Sequence, residues 1–290
     1  MLANIRLLPL FILTFILLGS CSPKADKEDK PIVSVSIEPL RFFTENIGGD
    51  RITVNSLVPK GSSPETYEPT SRQMEALSHS QLLILVGSLG FEVTWMTKFS
   101  SNYPDLLIYD SSEGIRRLGA DGSEISDPHT WMSAQNALVI ADNIYKSLCL
   151  ICPDDSSYFR GNLHNLKTSI EATRDSVSHI LADLGSRCFI IHHPSLTYFA
   201  LDYDLRQIAI EQEGKEPSAK SLSKTISDAI SQDAKVILTQ EELDSRNIET
   251  VAKATGANVE TINPLGYNWN AVMLDIALKI ASHQNSLQND

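Results

Sequence analysis

The sequence predicts an α/β fold of two lobes, each a mostly parallel four-stranded sheet flanked by helices, joined by one long rigid helix. Three observations predict it. Strand-like runs fall into two sets of four, with helical segments between most neighbours. Several of these runs are continuously apolar, the pattern of parallel strands covered on both faces. A single amphipathic stripe lies between the two sets. The chain has 290 residues, and the roughly 260 that follow its leader and tether are many for one core and comfortable for two.

The leader comes first. Arg6 is followed by the apolar run Leu7 to Leu18, and then by Gly19-Ser20-Cys21. That run is shorter than the roughly 20 residues of a membrane span. A basic start, a short apolar region and small residues before a cut site read as an export signal, expected to be residues 1–20. Leu18-Gly19-Ser20-Cys21 resembles the bacterial lipobox, which implies that Cys21 is lipidated and becomes the mature N-terminus. An ordinary cleaved signal with a chance cysteine is the alternative. Residues 21–30 are polar and charged without a pattern, and read as a tether. The expected location is outside the cytoplasm, on the periplasmic or exterior side, anchored to a membrane by lipid.

The first lobe is expected over residues 31–153. Its strand-like runs are Ile32 to Ile37, Ile52 to Val58, Leu82 to Val86 and Leu106 to Tyr109. Thr70 and Gln73 form a capping box before a helix that holds Met74 and Leu77. Another helix is expected from Ser133 to Leu148. Residues 154–186 carry the linking helix. Phe159, Leu163, Leu166, Ile170, Thr173, Val177, Ile180 and Leu184 recur at spacings of four and three, predicting a helix from Ser156 to Ala182 with Gly185 ending it. At 1.5 Å per residue it would run about 40 Å, long enough to bridge two lobes. A coiled coil is the alternative, and the scarcity of charged pairs beside the stripe speaks against it. The second lobe is expected over residues 187–290, with runs at Cys188 to Ile191, Gln207 to Glu211, Lys235 to Leu238 and Asn258 to Ile262. Ser218 stands as an N-cap before Leu222, Ile226 and Ile230. Gly256 fits a C-cap after a helix from Asn247 to Thr255.

The net charge is −12, and loss of the leader removes only Arg6 among charged residues. An acidic exported protein is a poor nucleic-acid binder, which needs a basic face. The charge favours cationic ligands. Of the four cysteines, Cys21 is assigned to lipid. Cys149 and Cys152 form a CxxC without a second pair, so buried thiols or a local disulfide suit them better than a zinc cluster. Cys188 lies in an apolar run and reads as core.

Three segments carry chemistry. Asp127-Pro128-His129-Thr130-Trp131 and His192-His193-Pro194 hold histidines, and Gly61-Ser62-Ser63-Pro64-Glu65-Thr66-Tyr67-Glu68-Pro69 holds carboxylates. Imidazole with carboxylate suits Zn²⁺, Mn²⁺ or Fe²⁺. No single segment holds two ligands at helical spacing, so a site must be assembled from distant loops. Ligands of open parallel sheets lie beyond the carboxyl ends of the strands. Glu65 follows the run ending at Val58, His193 follows Ile191, Asn263 follows Ile262, and His129 precedes the helix from Ser133. Each has a plainer reading. His129 can cap a helix, His193 can be a core histidine, Glu65 can be solvated, and Asn263 can shape the turn before Pro264. His192 alternates to the other side of the strand. Glu68 and Glu211 read as supporting or structural carboxylates. Tyr67, Trp131, Tyr198 and Phe199 read as packing that dries the cleft rather than as ligands, with Trp131 and Tyr198 also read as support behind the ligands. His79, His164, His179 and His283 lie on helix-like segments without partners and read as surface.

In their joint order these segments resemble a known family. Ser36-Ile37-Glu38-Pro39-Leu40, Gly49-Asp50-Arg51, Leu57-Val58-Pro59-Lys60-Gly61 and Tyr67-Glu68-Pro69-Thr70 are followed by Gly90-Phe91-Glu92, the Asp127–Trp131 run, His193 with Tyr198-Phe199-Ala200, and Gly214-Lys215-Glu216-Pro217-Ser218. The order is similar to that of the zinc/manganese solute-binding proteins of ABC importers, the ZnuA/TroA-like family, over nearly the whole mature chain. The resemblance implies a buried metal ion between two helix-linked lobes, with His129 and His193 as ligands. Its partners would be an ABC permease and its ATPase, and we expect a monomer.

Departures from the family pattern bear on the metal. Glu65 stands where the family usually has His, and Asn263 where manganese-type relatives place Asp. Ser111 to Ser126 contains no His, although zinc-type relatives often carry a His-rich loop there. Glu65, His129 and His193, with water or the Asn263 amide oxygen, suit Zn²⁺ and leave Mn²⁺ and Fe²⁺ open. Two rivals come from other classes. A metal-dependent hydrolase needs an open coordination position and a base, for which Glu68 is the candidate. A surface adhesin could share the fold.

Overall fold

The computed structural model describes residues 30–119, 127–211, 217–240 and 246–284. The expected signal peptide, the Cys21 lipidation site and nearly all of the tether lie outside the described residues. So do Gly214, Lys215 and Glu216 of the quoted motif, and the end of the His-free stretch before Asp127.

The first half contains β1 (Ile32–Val35), α1 (Glu38–Gly48), β2 (Thr53–Ser56), α2 (Ser71–Ser78), β3 (Leu82–Leu85), α3 (Gly90–Asn102), β4 (Leu107–Asp110) and α4 (Ala134–Ile151). α5 (Ser156–Ile180) follows. The second half contains β5 (Cys188–Ile191), α6 (Thr197–Asp202), β6 (Arg206–Ala209), α7 (Ala219–Ser231), β7 (Val236–Thr239), α8 (Arg246–Thr255), β8 (Asn258–Thr261) and α9 (Trp269–Gln284). The sheets have the orders β2-β1-β3-β4 and β6-β5-β7-β8, and every pairing is parallel. The two orders are the same pattern, with the chain reversing its direction of travel across the sheet between β1 and β3 and again between β5 and β7. Those are the switch points where a crevice opens beyond the strand ends.

Burial follows position in the sheet. Inner strands β3, β5 and β7 are buried throughout, whereas edge strands β2 and β8 alternate or face solvent. β5 divides its side chains between two cores, as a period of two requires. Phe189 and Ile191 join the main core, and Cys188 and Ile190 join a smaller cluster with Ile208, Ile237 and Val251. The main core does not stop at a lobe boundary. It runs from Val33 and Phe43 through Ile170 and Val177 of α5 to Leu238, Trp269 and Met273.

α5 has 25 residues and buries Phe159, Leu163, Leu166, Ile170, Thr173 and Val177. It packs against α1 and α4 on one side of the molecule and α9 on the other. Its stripe is the one read from the sequence, and the helix ends two residues earlier than expected, at Ile180. The local caps also form. Thr70 accepts the Gln73 N–H while the Gln73 side chain receives that of Thr70. Ser218 accepts from Ser221, and Gly256 takes φ +73° after α8. Cys149, Cys152 and Cys188 form no disulfide among the described residues. His79, His164 and His179 are exposed. His283, expected to stand without a partner, instead meets Glu260 Oε1 at 2.7 Å. Glu260 comes from β8, and its approach to α9 was not visible in the local sequence.

Two indoles lock the halves together. Trp131 donates Nε1–H to the Pro264 carbonyl at 2.9 Å, and Trp269 donates its own to the Trp131 carbonyl at 2.6 Å. Both rings are essentially inaccessible to solvent. Trp269 also packs on Phe43 of α1. Trp269→Phe would keep most of the packing and strand the Trp131 carbonyl. A buried unsatisfied acceptor costs about 1–3 kcal/mol. Urea denaturation should therefore show a lower midpoint for this variant, and an unchanged midpoint would mean that water replaces the lost donor.

Candidate metal centre

The site is built from three loops. Glu65 lies in the turn that follows Pro64, after β2. That turn is held from behind by α3, since the Phe91 N–H bonds the Pro64 carbonyl at 3.2 Å. Gly90 makes the approach possible, because a Cβ there would stand 2.2 Å from the Glu65 carbonyl oxygen. Glu92 then ties down the preceding turn, its fully buried carboxylate accepting from Val86 at 2.8 Å, Gly87 at 2.7 Å and Leu89 at 3.2 Å. Burial raises its pKa, against the pull of those bonds.

His129 precedes a 3-10 turn, Thr130–Met132, that leads into α4. Its side chain makes no capping bond, so the helix-cap reading does not describe it. Asp127 holds it instead. Oδ1 of Asp127 accepts the His129 backbone N–H at 2.8 Å and meets ring Nδ1 at 2.7 Å. His193 follows β5 at the switch point of the second sheet, and its Nδ1 meets Glu211 Oε2 at 3.2 Å. In each pair a carboxylate meets Nδ1, an arrangement that would leave Nε2 for a metal and in which an outer carboxylate orients a ligating imidazole and raises its basicity.

The electrostatics follow from these pairs. Burial alone would push the Asp127 carboxyl up, but the hydrogen bonds and charge of His129 outweigh it and hold the pKa below the usual range. Glu211 behaves alike, burial being outweighed by His193. For His193, burial disfavours the cation, yet Glu211, Glu65 and Asp127 together raise its pKa. The pocket therefore favours positive charge.

Glu65, His129 and His193 each offer a ligand atom, and these atoms lie within 4.8 Å of one another. The imidazole centroids are 5.2 Å apart. Glu65 Oε1 is buried without a hydrogen-bond partner among the described residues. A metal ion would supply what that oxygen lacks. Bonds of about 2.0–2.1 Å in a tetrahedron put ligand atoms about 3.3 Å apart, so modest side-chain rotations would close the three around an ion.

The other candidates are placed differently. Asn263 spends its amide oxygen on the Leu265 N–H at 3.1 Å and lines a small cleft with Ile37, Glu38, Lys60 and Gln240. Glu68 is exposed. His192 is buried and is not in the ligand group. Trp131 packs its ring 5.2 Å from that of His129. Tyr67 stacks edge-on against Phe91 and donates to Gln73 at 2.7 Å. Tyr198 does more than pack. Its hydroxyl accepts the Leu118 N–H and donates to the Asp127 carbonyl, both at 3.0 Å. Two contributors were not singled out from the sequence. Asp127 carried a signal, because Asp often bonds the backbone two residues on. Gly90 stood in the quoted Gly90-Phe91-Glu92 motif, but its closeness to Glu65 was not local, that neighbour being 25 residues away in the chain.

Comparison with known proteins gives a consistent picture. The family model described as zinc-uptake complex component A, periplasmic, matches residues 33–281. A crystal structure of ZnuA superposes with a TM-score of 0.83 at 36% identity, covering 88% of this chain and 100% of that one. The zinc-binding lipoprotein AdcA of Streptococcus pneumoniae is 25% identical over 265 residues, covering 86% of this chain and 52% of AdcA, so the chain spans about half the length of that relative. The manganese ABC transporter substrate-binding lipoprotein scaA of Streptococcus gordonii is 26% identical over 272 residues, covering 86% of each.

Removing an outer carboxylate from a metal-bound histidine typically costs 10–100-fold in affinity. Asp127→Asn and Glu211→Gln should each weaken Zn²⁺ binding by about that factor in a chelator-competition titration. Wild-type affinity in both would mean that other groups orient the imidazoles.

Proposed function

The chain belongs to the family of zinc-uptake complex component A periplasmic proteins, and from that premise we propose that it is the extracytoplasmic solute-binding component of an ABC importer. It captures a divalent transition-metal ion between its lobes and passes it to a membrane permease driven by an ATPase. The ion is cargo, and the protein is a binder rather than an enzyme. Zinc is the leading cargo. The observation that carries this reading is the Glu65 carboxylate oxygen, buried without a partner and facing two imidazoles whose Nδ1 atoms already meet carboxylates.

We assign Glu65, His129 and His193 as ligands, with a water or, more weakly, the Asn263 amide oxygen completing the shell. Two neutral imidazoles and one carboxylate suit a borderline ion, and Zn²⁺ accepts four-coordination readily. The carboxylate at position 65, where the family usually has a third imidazole, makes the donor set harder. That feature, with the manganese protein scaA among the relatives, keeps Mn²⁺ as the second cargo, and Fe²⁺ falls in the same class.

Elemental analysis of protein purified without added metal, followed by competition among Zn²⁺, Mn²⁺ and Fe²⁺, tests the assignment. One tight site per chain is expected, with zinc retained. His129→Ala and His193→Ala should each lower affinity at least about tenfold. Glu65→Ala should weaken binding more than Asn263→Ala, and Glu65→His should hold or raise zinc affinity. Undiminished binding in both histidine variants would move the site elsewhere.

We read Cys21 as the lipid-bearing mature N-terminus, with residues 21–30 as the tether and the protein acting as a monomer. The lipobox-like Leu18-Gly19-Ser20-Cys21 supports this, as does the description of AdcA and scaA as lipoproteins. Cys21→Ser should release the protein from the membrane fraction or leave it unprocessed. Normal processing with unchanged fractionation would refute the anchor.

A further inference from the structure

We propose that Tyr198 is a positioning residue that couples His193 of one lobe to His129 of the other, a role that rests on the metal-capture reading above. Tyr198 belongs to α6, which begins four residues after His193. Its ring is buried, yet both bonds of its hydroxyl leave its own lobe. The oxygen accepts the Leu118 N–H and the proton goes to the Asp127 carbonyl, each at 3.0 Å. Leu118 and Asp127 are also bonded to each other, Asp127 N–H to Leu118 carbonyl at 2.6 Å. The phenol thus completes a three-residue knot where the chain enters the His129 segment. Asp127 passes the constraint on, because its carboxylate grips both the backbone N–H and the ring of His129.

A second tie leaves the same helix one turn later. Asp202 accepts the Ser133 hydroxyl at 2.7 Å and the Ala134 N–H at 2.8 Å, at the start of α4. Residues four apart share a helix face, so Tyr198 and Asp202 bracket residues 127–134, the segment that carries His129. A shift of α6 therefore moves both imidazoles together. Packing alone would not need the hydroxyl. Elsewhere on this stretch the rings pack without one: Phe199 stacks against Tyr203 at 4.8 Å, and the buried Tyr203 hydroxyl has no partner among the described residues. Of the two tyrosines on this stretch, Tyr198 is the one whose oxygen is bonded.

The test compares Tyr198→Phe with Tyr203→Phe in metal-stripped protein, using Zn²⁺ for affinity and Co²⁺ as a spectroscopic probe of ligand geometry. Tyr198→Phe should lower Zn²⁺ affinity by about tenfold, the lower end of what outer-shell partners supply, and should shift the visible bands of bound Co²⁺. Tyr203→Phe should do neither. Because Tyr198 acts through Asp127, combining Tyr198→Phe with Asp127→Asn should cost less than the product of the two separate losses. A Tyr198→Phe protein that melts at lower temperature but keeps wild-type affinity and Co²⁺ spectrum would reduce the contact to a structural tie and overturn the proposal. So would losses that multiply independently with those of Asp127→Asn. Wild-type protein that takes up no Zn²⁺ would instead overturn the metal-capture reading and this proposal with it.

Discussion

The molecule depends on the buried exchange between two tryptophans. Trp131 sits immediately beyond the His129 segment, and Trp269 opens the last helix. Each indole is satisfied by a carbonyl across the lobes, Pro264 for one and Trp131 itself for the other. An indole N–H buried without an acceptor would be costly, so the two halves can pack closely here only in the register that satisfies both. That register brings the end of β5 opposite the turn before α4. It also makes the hydrophobic core continuous through α5, so that two topologically separate sheets share one interior. Further ties reinforce it at the rim, where the Tyr267 hydroxyl donates to Glu45 and the Arg41 guanidinium lies over the Tyr267 ring.

A scaffold of this kind suits capture of a small ion. Ion binding offers few contacts, so little binding energy is available to reorganise the protein, and preorganisation decides affinity. Here the ordering is done beforehand by outer residues. Asp127 and Glu211 hold the Nδ1 sides of the two imidazoles, Glu92 and Gly90 fix the turn that bears Glu65, and α6 links the two histidine loops. In the proposed site, what would remain for the ion is to satisfy the orphaned Glu65 oxygen and the two imidazoles. The exchange of a third imidazole for Glu65 has an electrostatic consequence. A divalent ion on two neutral imidazoles and one carboxylate leaves a site of net charge near +1, beside the further carboxylates of Asp127 and Glu211.

Some of this was legible in the chain before any fold was known. The alternation of strands and helices, the burial of the inner strands and the stripe of α5 are periodic, and periodicity is written locally. The capping box at Thr70 and the glycine after α8 are equally local, since their partners lie within four residues. The strand-end rule drew attention to Glu65, His129, His193 and Asn263 alike, because each follows a strand or opens a helix. It could not rank them.

The sequence reading already set Asn263 behind the other three, and tertiary structure adds a physical contrast between them. Asn263 turns its oxygen onto its own backbone while Glu65 keeps one oxygen unpaired, and nothing in either local sequence distinguishes those outcomes. Tyr198 was legible as a residue that packs and supports the site, but not the partners of its hydroxyl, 80 and 71 residues away. His283 looked unpartnered for the same reason, as Glu260 reaches it only when β8 lies beside α9. By itself the sequence determined fold class, helix and strand identity and the set of chemically able residues, since short-range sterics and hydrophobic periodicity act within a few residues. Which nitrogen is free, which carboxylate is orphaned and which loops meet were decided by strand order and by the packing of one shared core, because those quantities exist only between distant parts of the chain.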